Sequence, residues 1–138
     1  MSTAIIYWSG TGNTEAMAKA IESGIKENEN EVSLFEVSKV NESVADEYEK
    51  FAFGCPSMGA EVLEEGEFEP FFTAIEKKLS GKKVALFGSY GWGDGEWMRD
   101  WQDRVKDIGA ILYDEGLIQQ EAPDEVVCKE FGANFAGF

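Results

Sequence analysis

The sequence predicts an α/β protein with a doubly wound, five-stranded parallel sheet and helices on both faces. Short apolar runs typical of buried strands alternate with amphipathic helical patterns along the whole chain, a pattern that indicates parallel strands joined by crossover helices. Glycine- and hydroxyl-rich loops follow three of these strands. Because no linker, repeat or low-complexity segment interrupts the series, residues 1–138 are expected to form a single domain.

The first strand and the first helix follow directly from the apolar pattern. Residues 4–8 are apolar throughout, as expected of a strand covered on both faces. A helix follows, because three apolar residues recur at helical spacing on one face: Met17, Ile21 and Ile25. This helix is expected to end before a turn at residues 28–30.

The middle of the chain supplies two further strands and a helix. Residues 32–37 alternate partially, which indicates a second strand, and residues 40–49 are expected to form a polar connector with a short helix. A third strand at residues 50–55 stops at Pro56, because proline lacks the N–H that a sheet requires. The next helix presents one apolar face, made of Phe68, Phe71, Phe72, Ile75 and Leu79.

The last part of the chain completes the alternation. Residues 84–88 form a fourth strand, and a fifth strand begins at residues 110–113 and is expected to resume near residues 117–118. The helix between them carries a periodic apolar face, made of Trp97, Met98, Trp101, Val105 and Ile108. The final helix opens at residues 123–124. Its inward residues are Cys128, Phe131, Phe135 and Phe138.

The composition excludes several classes of function. The 138 residues include no histidine, which removes the usual general base and every imidazole metal ligand, so no metal site is expected. With 12 basic and 27 acidic residues, the net charge of −15 repels nucleic acid and anionic membranes and favours basic partners. No membrane-length apolar run or signal segment is present, so a cytoplasmic location is expected. The separated cysteines, Cys55 and Cys128, are expected to be small buried hydrophobes.

The stretch Ser9–Thr14, between the first strand and the first helix, is a candidate anion site. Helix N–H groups and the positive end of the helix dipole converge there, and Gly10 and Gly12 let the backbone approach a ligand closely. Neutral donors come from Ser9, Thr11, Asn13 and Thr14. No Lys or Arg occurs in residues 1–18, so the pattern favours a terminal phosphate held by neutral groups. A capped turn without a ligand has the same composition.

Two further loops leave the same edge of the predicted sheet, Pro56–Glu61 and Ser89–Gly95. Ligands of such sheets lie beyond the carboxyl ends of the strands, so a ligand is expected at this edge. The second of these loops carries Tyr90 and Trp92 between glycines. Such aromatic side chains have little to pack against and suit the face of a flat ring, although a loop plug or a partner contact explains Trp92 equally well. A phosphate site beside an aromatic slot describes a mononucleotide site.

Three motifs in combination resemble the FMN loops of the short-chain flavodoxins: Tyr7–Thr14 (YWSGTGNT), Met58-Gly59 with Glu61, and Phe87–Asp94 (FGSYGWGD). The resemblance covers essentially the whole chain. It implies a flavodoxin-like sheet of strand order 2-1-3-4-5 and non-covalently bound FMN. The residues it places at the cofactor are Ser9, Gly10, Thr11, Gly12, Asn13, Thr14, Pro56, Ser57, Met58, Gly59, Ala60, Glu61, Ser89, Tyr90, Gly91, Trp92 and Gly93.

The resemblance also implies particular roles at the flavin. Met58 and Trp92 would lie on its inner and outer faces, and Glu61 would accept a hydrogen bond from N3–H. The Gly59 carbonyl would accept the N5–H bond of the semiquinone, and Ser89 would lie near the phosphate. Whether three neighbouring residues touch FMN stays open: Ser57, Gln120 and Glu121.

Ala60 departs from the family pattern, which often has aspartate at this position. A type II turn over residues 58–61 needs a positive φ at Ala60, whereas the flipped type II′ form needs it at Gly59. Alanine resists a positive φ by about 1 kcal/mol. We therefore expect Ala60 to favour the form with positive φ at Gly59, or some third geometry.

The charge of the protein predicts the redox behaviour. Full reduction adds negative charge to a flavin inside a protein of net charge −15 with no cation in the three loops, so it is disfavoured. The neutral semiquinone escapes this repulsion. The expected function is a low-potential, one-electron carrier, not an enzyme, that shuttles between semiquinone and hydroquinone as a monomer and meets basic redox partners transiently.

Of three alternative functions, two lack the side chains that they need. A signalling receiver domain needs acidic residues after the first strand and an aspartate ending the third, where this chain has Ser9-Gly10 and Gly54-Cys55. A hydrolase or phosphatase needs a base beside its nucleophile, and Cys55 has no histidine to serve it. An FMN-binding module without electron transfer would show the same sequence features.

Overall fold

The computed structural model describes residues 2–28 and 30–138. Its strands are β1 (Ser2–Tyr7), β2 (Glu31–Glu36), β3 (Lys50–Gly54), β4 (Lys83–Tyr90), β5 (Ile111–Leu112) and β6 (Leu117–Gln120). Its helices are α1 (Asn13–Glu27), α2 (Phe68–Ile75), α3 (Glu96–Asp107) and α4 (Glu125–Ala136). Short 3₁₀ turns occupy Val37–Lys39, Glu42–Asp46 and Glu76–Lys78.

All the strands pair in parallel, in the order β2-β1-β3-β4-β5. This order confirms the predicted doubly wound sheet. Both β5 and β6 pair with β4, so the fifth position of the sheet is occupied by an interrupted strand, as the sequence predicted. The predicted turn at residues 28–30 includes Glu29, which lies outside the described residues.

One boundary differs from the sequence prediction. β1 begins at Ser2 and ends at Tyr7, so Trp8 lies just beyond the strand instead of inside it. The polar connector at residues 40–49 contains the short helix that the sequence predicted, a 3₁₀ helix at Glu42–Asp46; the Asn41 side chain caps it by accepting from the Ser43 N–H. No helix within residues 2–28 and 30–138 is long and apolar enough to cross a membrane.

Alternating residues of the central strands divide the core into one cluster on each face of the sheet. In β1, Ala4 and Ile6 pack beneath α2 and α3, whereas Ile5 and Tyr7 pack beneath α1 and α4. The two cysteines are buried, one in each cluster, which confirms the prediction for both. Burial raises the pKa of each thiol, that of Cys128 to about 11.

Helices α1 and α4 approach each other through glycine. A Cβ atom at Gly24 would lie 1.9 Å from the Lys129 carbonyl oxygen, and one at Gly132 would lie 2.2 Å from the Ile21 carbonyl oxygen. Both obstacles are helix backbone, which cannot move aside as a flexible side chain can. Helix α1, which follows the first loop of the site, therefore packs on α4 with no room for side chains at the closest point.

Gly132→Ala is expected to lower the free energy of unfolding by about 1–3 kcal/mol, the usual cost of overpacking. Helix propensity alone predicts the opposite change in stability, because alanine is more favourable than glycine in a helix by about 1 kcal/mol. Urea unfolding would measure the difference. Gly137→Ala is the matched control, since its Cβ would meet nothing closer than 3.7 Å. An unchanged or increased stability for Gly132→Ala would contradict the close helix contact.

Candidate functional site

The loops after β1, β3 and β4 begin side by side, because the backbone hydrogen bonds of the sheet continue past the strand ends. The Trp8 N–H donates to the Gly54 carbonyl at 3.0 Å, and the Ser57 N–H donates to the Ser89 carbonyl at 3.0 Å. Each loop is thus held by its neighbour at its first residues. The site lies at the carboxyl edge of the sheet, as predicted.

A cavity of about 330 Å³ opens between the three loops, within the usual range of small-molecule sites. Many of the predicted cofactor residues line it: Gly10, Thr11, Asn13, Pro56, Ser57, Met58, Ser89, Tyr90 and Gly91. The remaining predicted residues do not: Ser9, Gly12, Thr14, Gly59, Ala60, Glu61, Trp92 and Gly93. Two further residues complete the wall, Trp8 and Glu121.

The first loop presents free donors at the start of α1. Gly12 has a φ of +97° and turns the chain into the helix, and the Ser9 hydroxyl oxygen accepts from the N–H groups of Gly12 and Glu15, both at 3.2 Å. Within residues 2–28 and 30–138, the N–H groups of Thr11, Asn13 and Thr14 have no acceptor. Such unpaired N–H groups at a helix N-terminus suit an anion.

A buried pair of hydroxyl groups joins the first and third loops. The oxygens of Thr14 and Ser89 lie 2.8 Å apart, and the Ser89 N–H donates to the Thr14 oxygen at 3.3 Å. The two side chains are only 1% and 5% exposed. Since their mutual bond uses one of the two hydroxyl protons, the other is available to an acceptor. No Lys or Arg is among the residues that line the cavity.

The second loop is a tight hairpin. Met58 and Val62 exchange both backbone hydrogen bonds, at 2.8 and 3.0 Å, and enclose three residues. The φ angles of Gly59 and Glu61 are +50° and +54°, whereas Ala60 is not among the described residues with positive φ. As expected, the alanine avoids the left-handed region. The second positive φ falls on Glu61, the last residue of the four-residue turn expected from the sequence, where neither turn type requires it.

Glu61 and Trp92 lie beside the cavity and not in its wall. A Glu61 carboxylate oxygen accepts from the Glu96 N–H at 3.1 Å, at the beginning of α3. The same carboxylate lies against Gly93, where a Cβ would be 2.6 Å from it. The Trp92 side chain is 66% exposed. Their expected contacts with a flavin therefore stay predictions.

The loop after β6 borders the cavity and is hydrogen-bonded to the third loop. The Glu121 N–H donates to the Tyr90 carbonyl at 2.8 Å, and the Gln120 side chain donates to the Gly91 carbonyl at 3.2 Å. Glu121 has a φ of +55° and lines the cavity together with Ser57, whereas Gln120 does not. Sequence reasoning left these three residues open, and it missed Trp8, whose only signal was its position immediately before the glycine loop.

A parallel sheet with an anion-binding loop and an aromatic-walled cavity at its carboxyl edge defines an α/β protein of the mononucleotide-binding class. The Flavodoxin family model matches residues 5–131, so the chain belongs to the flavodoxin family. It is 52% identical over 134 residues to the flavodoxin of Clostridium beijerinckii, covering 96% of this chain and 97% of that protein. It is 45% identical over 128 residues to the flavodoxin of Megasphaera elsdenii, covering 93% of each.

The fold agrees with this membership. The solution structure of two-electron reduced Megasphaera elsdenii flavodoxin superimposes with a TM-score of 0.91 and 45% identity, covering 99% of each chain. The protein is an FMN-bound electron carrier of this family, which confirms the cofactor and the function predicted from the sequence. The receiver-domain reading and the module without electron transfer are not favoured.

Glu61→Ala is expected to lower the free energy of unfolding by about 1 kcal/mol, because the first turn of α3 loses a carboxylate that accepts its N–H. Glu61→Gln retains an acceptor oxygen and should lose less. The measurement is urea unfolding, with Glu65→Ala as the control for removing one exposed carboxylate from the same segment. If Glu61→Ala and Glu65→Ala behave alike, the contact with α3 contributes nothing.

Proposed function

We propose that residues 1–138 form one FMN-binding domain that carries single electrons at low potential and is not an enzyme. The observation that carries this proposal is the cavity at the sheet edge, whose donors are neutral and whose lining residues include no Lys or Arg. Bound FMN supplies the redox chemistry, since a flavin accepts and releases electrons one at a time. The protein binds it, orients it and sets its electrostatic surroundings.

The first loop is the proposed phosphate site. The unpaired N–H groups of Thr11, Asn13 and Thr14 converge at the positive end of the α1 dipole, where an anion is stabilised without a cation. The spare proton of the Thr14–Ser89 hydroxyl pair adds a further donor. The fit of a phosphate thus rests on donors that have no other acceptor among the described residues.

The isoalloxazine ring is proposed to lie between the second and third loops. Met58 and Tyr90 line this part of the cavity. The hairpin holds the Gly59 carbonyl at its tip, where it would accept a hydrogen bond from flavin N5–H. Trp92 would cover the outer face of the ring, and Glu61 would accept from N3–H. These assignments follow the family resemblance.

The low potential is proposed to follow from unbalanced negative charge. Glu121 lines the cavity, no cation lines it, and the whole chain has a net charge of −15. A further negative charge placed between Met58 and Trp92 would be poorly screened by water, so its repulsion by the surrounding carboxylates is large. Electron uptake that leaves a net negative ring is therefore disfavoured.

The partners are redox proteins, and we propose that they are basic. The acidic charge steers such partners towards the protein. Two exposed apolar side chains, Trp92 and Val62, adjoin Gly93 and Glu61 in the chain, and these two residues lie against each other. An electron donor or acceptor would find apolar contact there. The monomeric state and the cytoplasmic location expected from the sequence stay predictions.

A redox titration tests the proposed function. The purified protein should show flavin absorption bands, and stepwise reduction by dithionite should resolve two one-electron steps, the second at the more negative potential. The second step is the lower one because it leaves the ring negatively charged. A protein that neither contains nor takes up FMN, or that takes up both electrons in a single step, would overturn the proposal.

Replacement of the buried hydroxyl tests the phosphate site. Thr14→Val keeps the side-chain volume but removes the hydroxyl pair, so FMN binding should weaken by about 1–3 kcal/mol, the cost of an unmatched acceptor. Riboflavin, which lacks the phosphate, should bind the variant and the parent alike. Fluorescence titration measures both affinities, with Thr73→Val on α2 as the control. Equal losses for FMN and riboflavin would show that Thr14 has only a structural role.

A further inference from the structure

Trp8 lies between the first and second loops of the site. Its indole ring lies so close to Gly10 that a Cβ there would be 3.0 Å from the ring carbon Cη2 and 3.2 Å from Cζ3. The ring also lines the cavity with Thr11 and Ser57. The ring therefore bounds the space beside Gly10 and limits where the loop backbone, with the free N–H group of Thr11 that follows, can lie.

The orientation of the ring is set from the other side of the site. The Trp8 indole N–H donates to a carboxylate oxygen of Glu67 at 3.2 Å. Glu67 directly precedes α2, at the position where a side chain usually caps the helix, yet its side chain makes no capping bond. Among the described residues, no donor other than the Trp8 indole N–H forms a hydrogen bond to the Glu67 carboxylate.

Glu64 takes over the capping role and leaves Glu67 free. Its carboxylate accepts from the N–H groups of Gly66, Glu67 and Phe68 at 2.7 to 2.8 Å. Partial burial alone would raise the pKa of Glu64, but these three bonds outweigh it and hold the pKa below its usual value. The Glu64 N–H in turn donates to the Cys55 sulfur at 3.3 Å, which ties the segment to the end of β3.

We propose that Trp8 is a positioning residue for the phosphate end of FMN, held in place by Glu67. The bond from the start of α2 fixes the ring, and the ring supports Gly10 so that the following N–H groups converge on the phosphate. This inference rests on the proposed phosphate site of the first loop. It assigns the discrimination between FMN and riboflavin partly to a contact between residues 59 positions apart.

The test compares FMN and riboflavin affinities of the full-length chain by fluorescence titration. Trp8→Phe keeps an aromatic ring but removes the indole N–H, and Glu67→Ala removes the acceptor. Each should weaken FMN binding about 3- to 10-fold, the range of one hydrogen bond, with less than about a 2-fold change for riboflavin. The double variant should lose no more than either single variant, because both remove the same bond.

Two control variants separate the hydrogen bond from charge. Glu67→Gln keeps an oxygen acceptor for the indole and should preserve the affinity ratio, although it removes the negative charge. Glu65→Ala removes a neighbouring exposed carboxylate and should leave the ratio unchanged. Because Glu67 is exposed, its replacements leave the core intact even if Trp8→Phe folds poorly.

The outcomes distinguish this inference from the function on which it rests. If the parent protein binds riboflavin as tightly as FMN, the phosphate site itself is wrong and the inference falls with it. If the parent prefers FMN and both Trp8→Phe and Glu67→Ala retain that preference, the phosphate site stands and the role of Trp8 is overturned. Equal losses in Glu67→Gln and Glu67→Ala would also overturn it.

Discussion

The parallel register of β1, β3 and β4 is the constraint on which the rest of the structure depends. These strands are buried on both faces, and their register brings the ends of β1 and β3 level, Tyr7 beside Gly54, while β4 runs three residues beyond Phe87, the partner of Gly54. The three loops therefore leave the same edge of the sheet. The ladder even extends past the strands, from Trp8 to Gly54 and from Ser57 to Ser89. A slip of one residue in any pair would turn the core side chains to the opposite face. Core packing therefore fixes the register, and the register fixes the relative positions of the loops that form the site.

The proposed phosphate site would bind an anion within an acidic protein by neutral donors alone. Many phosphate loops add a lysine to the helix N-terminus, but this chain has a free N–H cluster and a hydroxyl pair, with no Lys or Arg in the cavity wall. A cation there would also stabilise a negatively charged flavin. In the proposed function, the absence of a cation from the lining would let the same residues hold the phosphate and keep the potential low.

The loops of the site are joined by side chains as well as by the sheet. Thr14 and Ser89 link the first loop to the third, and Trp8 and Glu67 link the first loop to the segment after the second. Glu64 makes the second link possible, because it caps α2 in place of Glu67. Two glycines permit the tight turns of these loops: Gly12 turns the chain into α1, and Gly59 lies in the hairpin loop, each with a positive φ.

The sequence by itself determined the alternation of strands and helices, the buried cysteines, the three loops and the family, because each depends on residues that are close in the chain. It also showed that Ala60 would avoid a positive φ, which is a property of the residue alone. Only the tertiary structure decided that the second positive φ falls on Glu61, that Glu61 turns to α3, and that Trp8 forms a wall of the cavity. These depend on contacts such as Trp8–Glu67 and Thr14–Ser89, 59 and 75 residues apart, and local periodicity carries no information about which distant residues the packed sheet brings together.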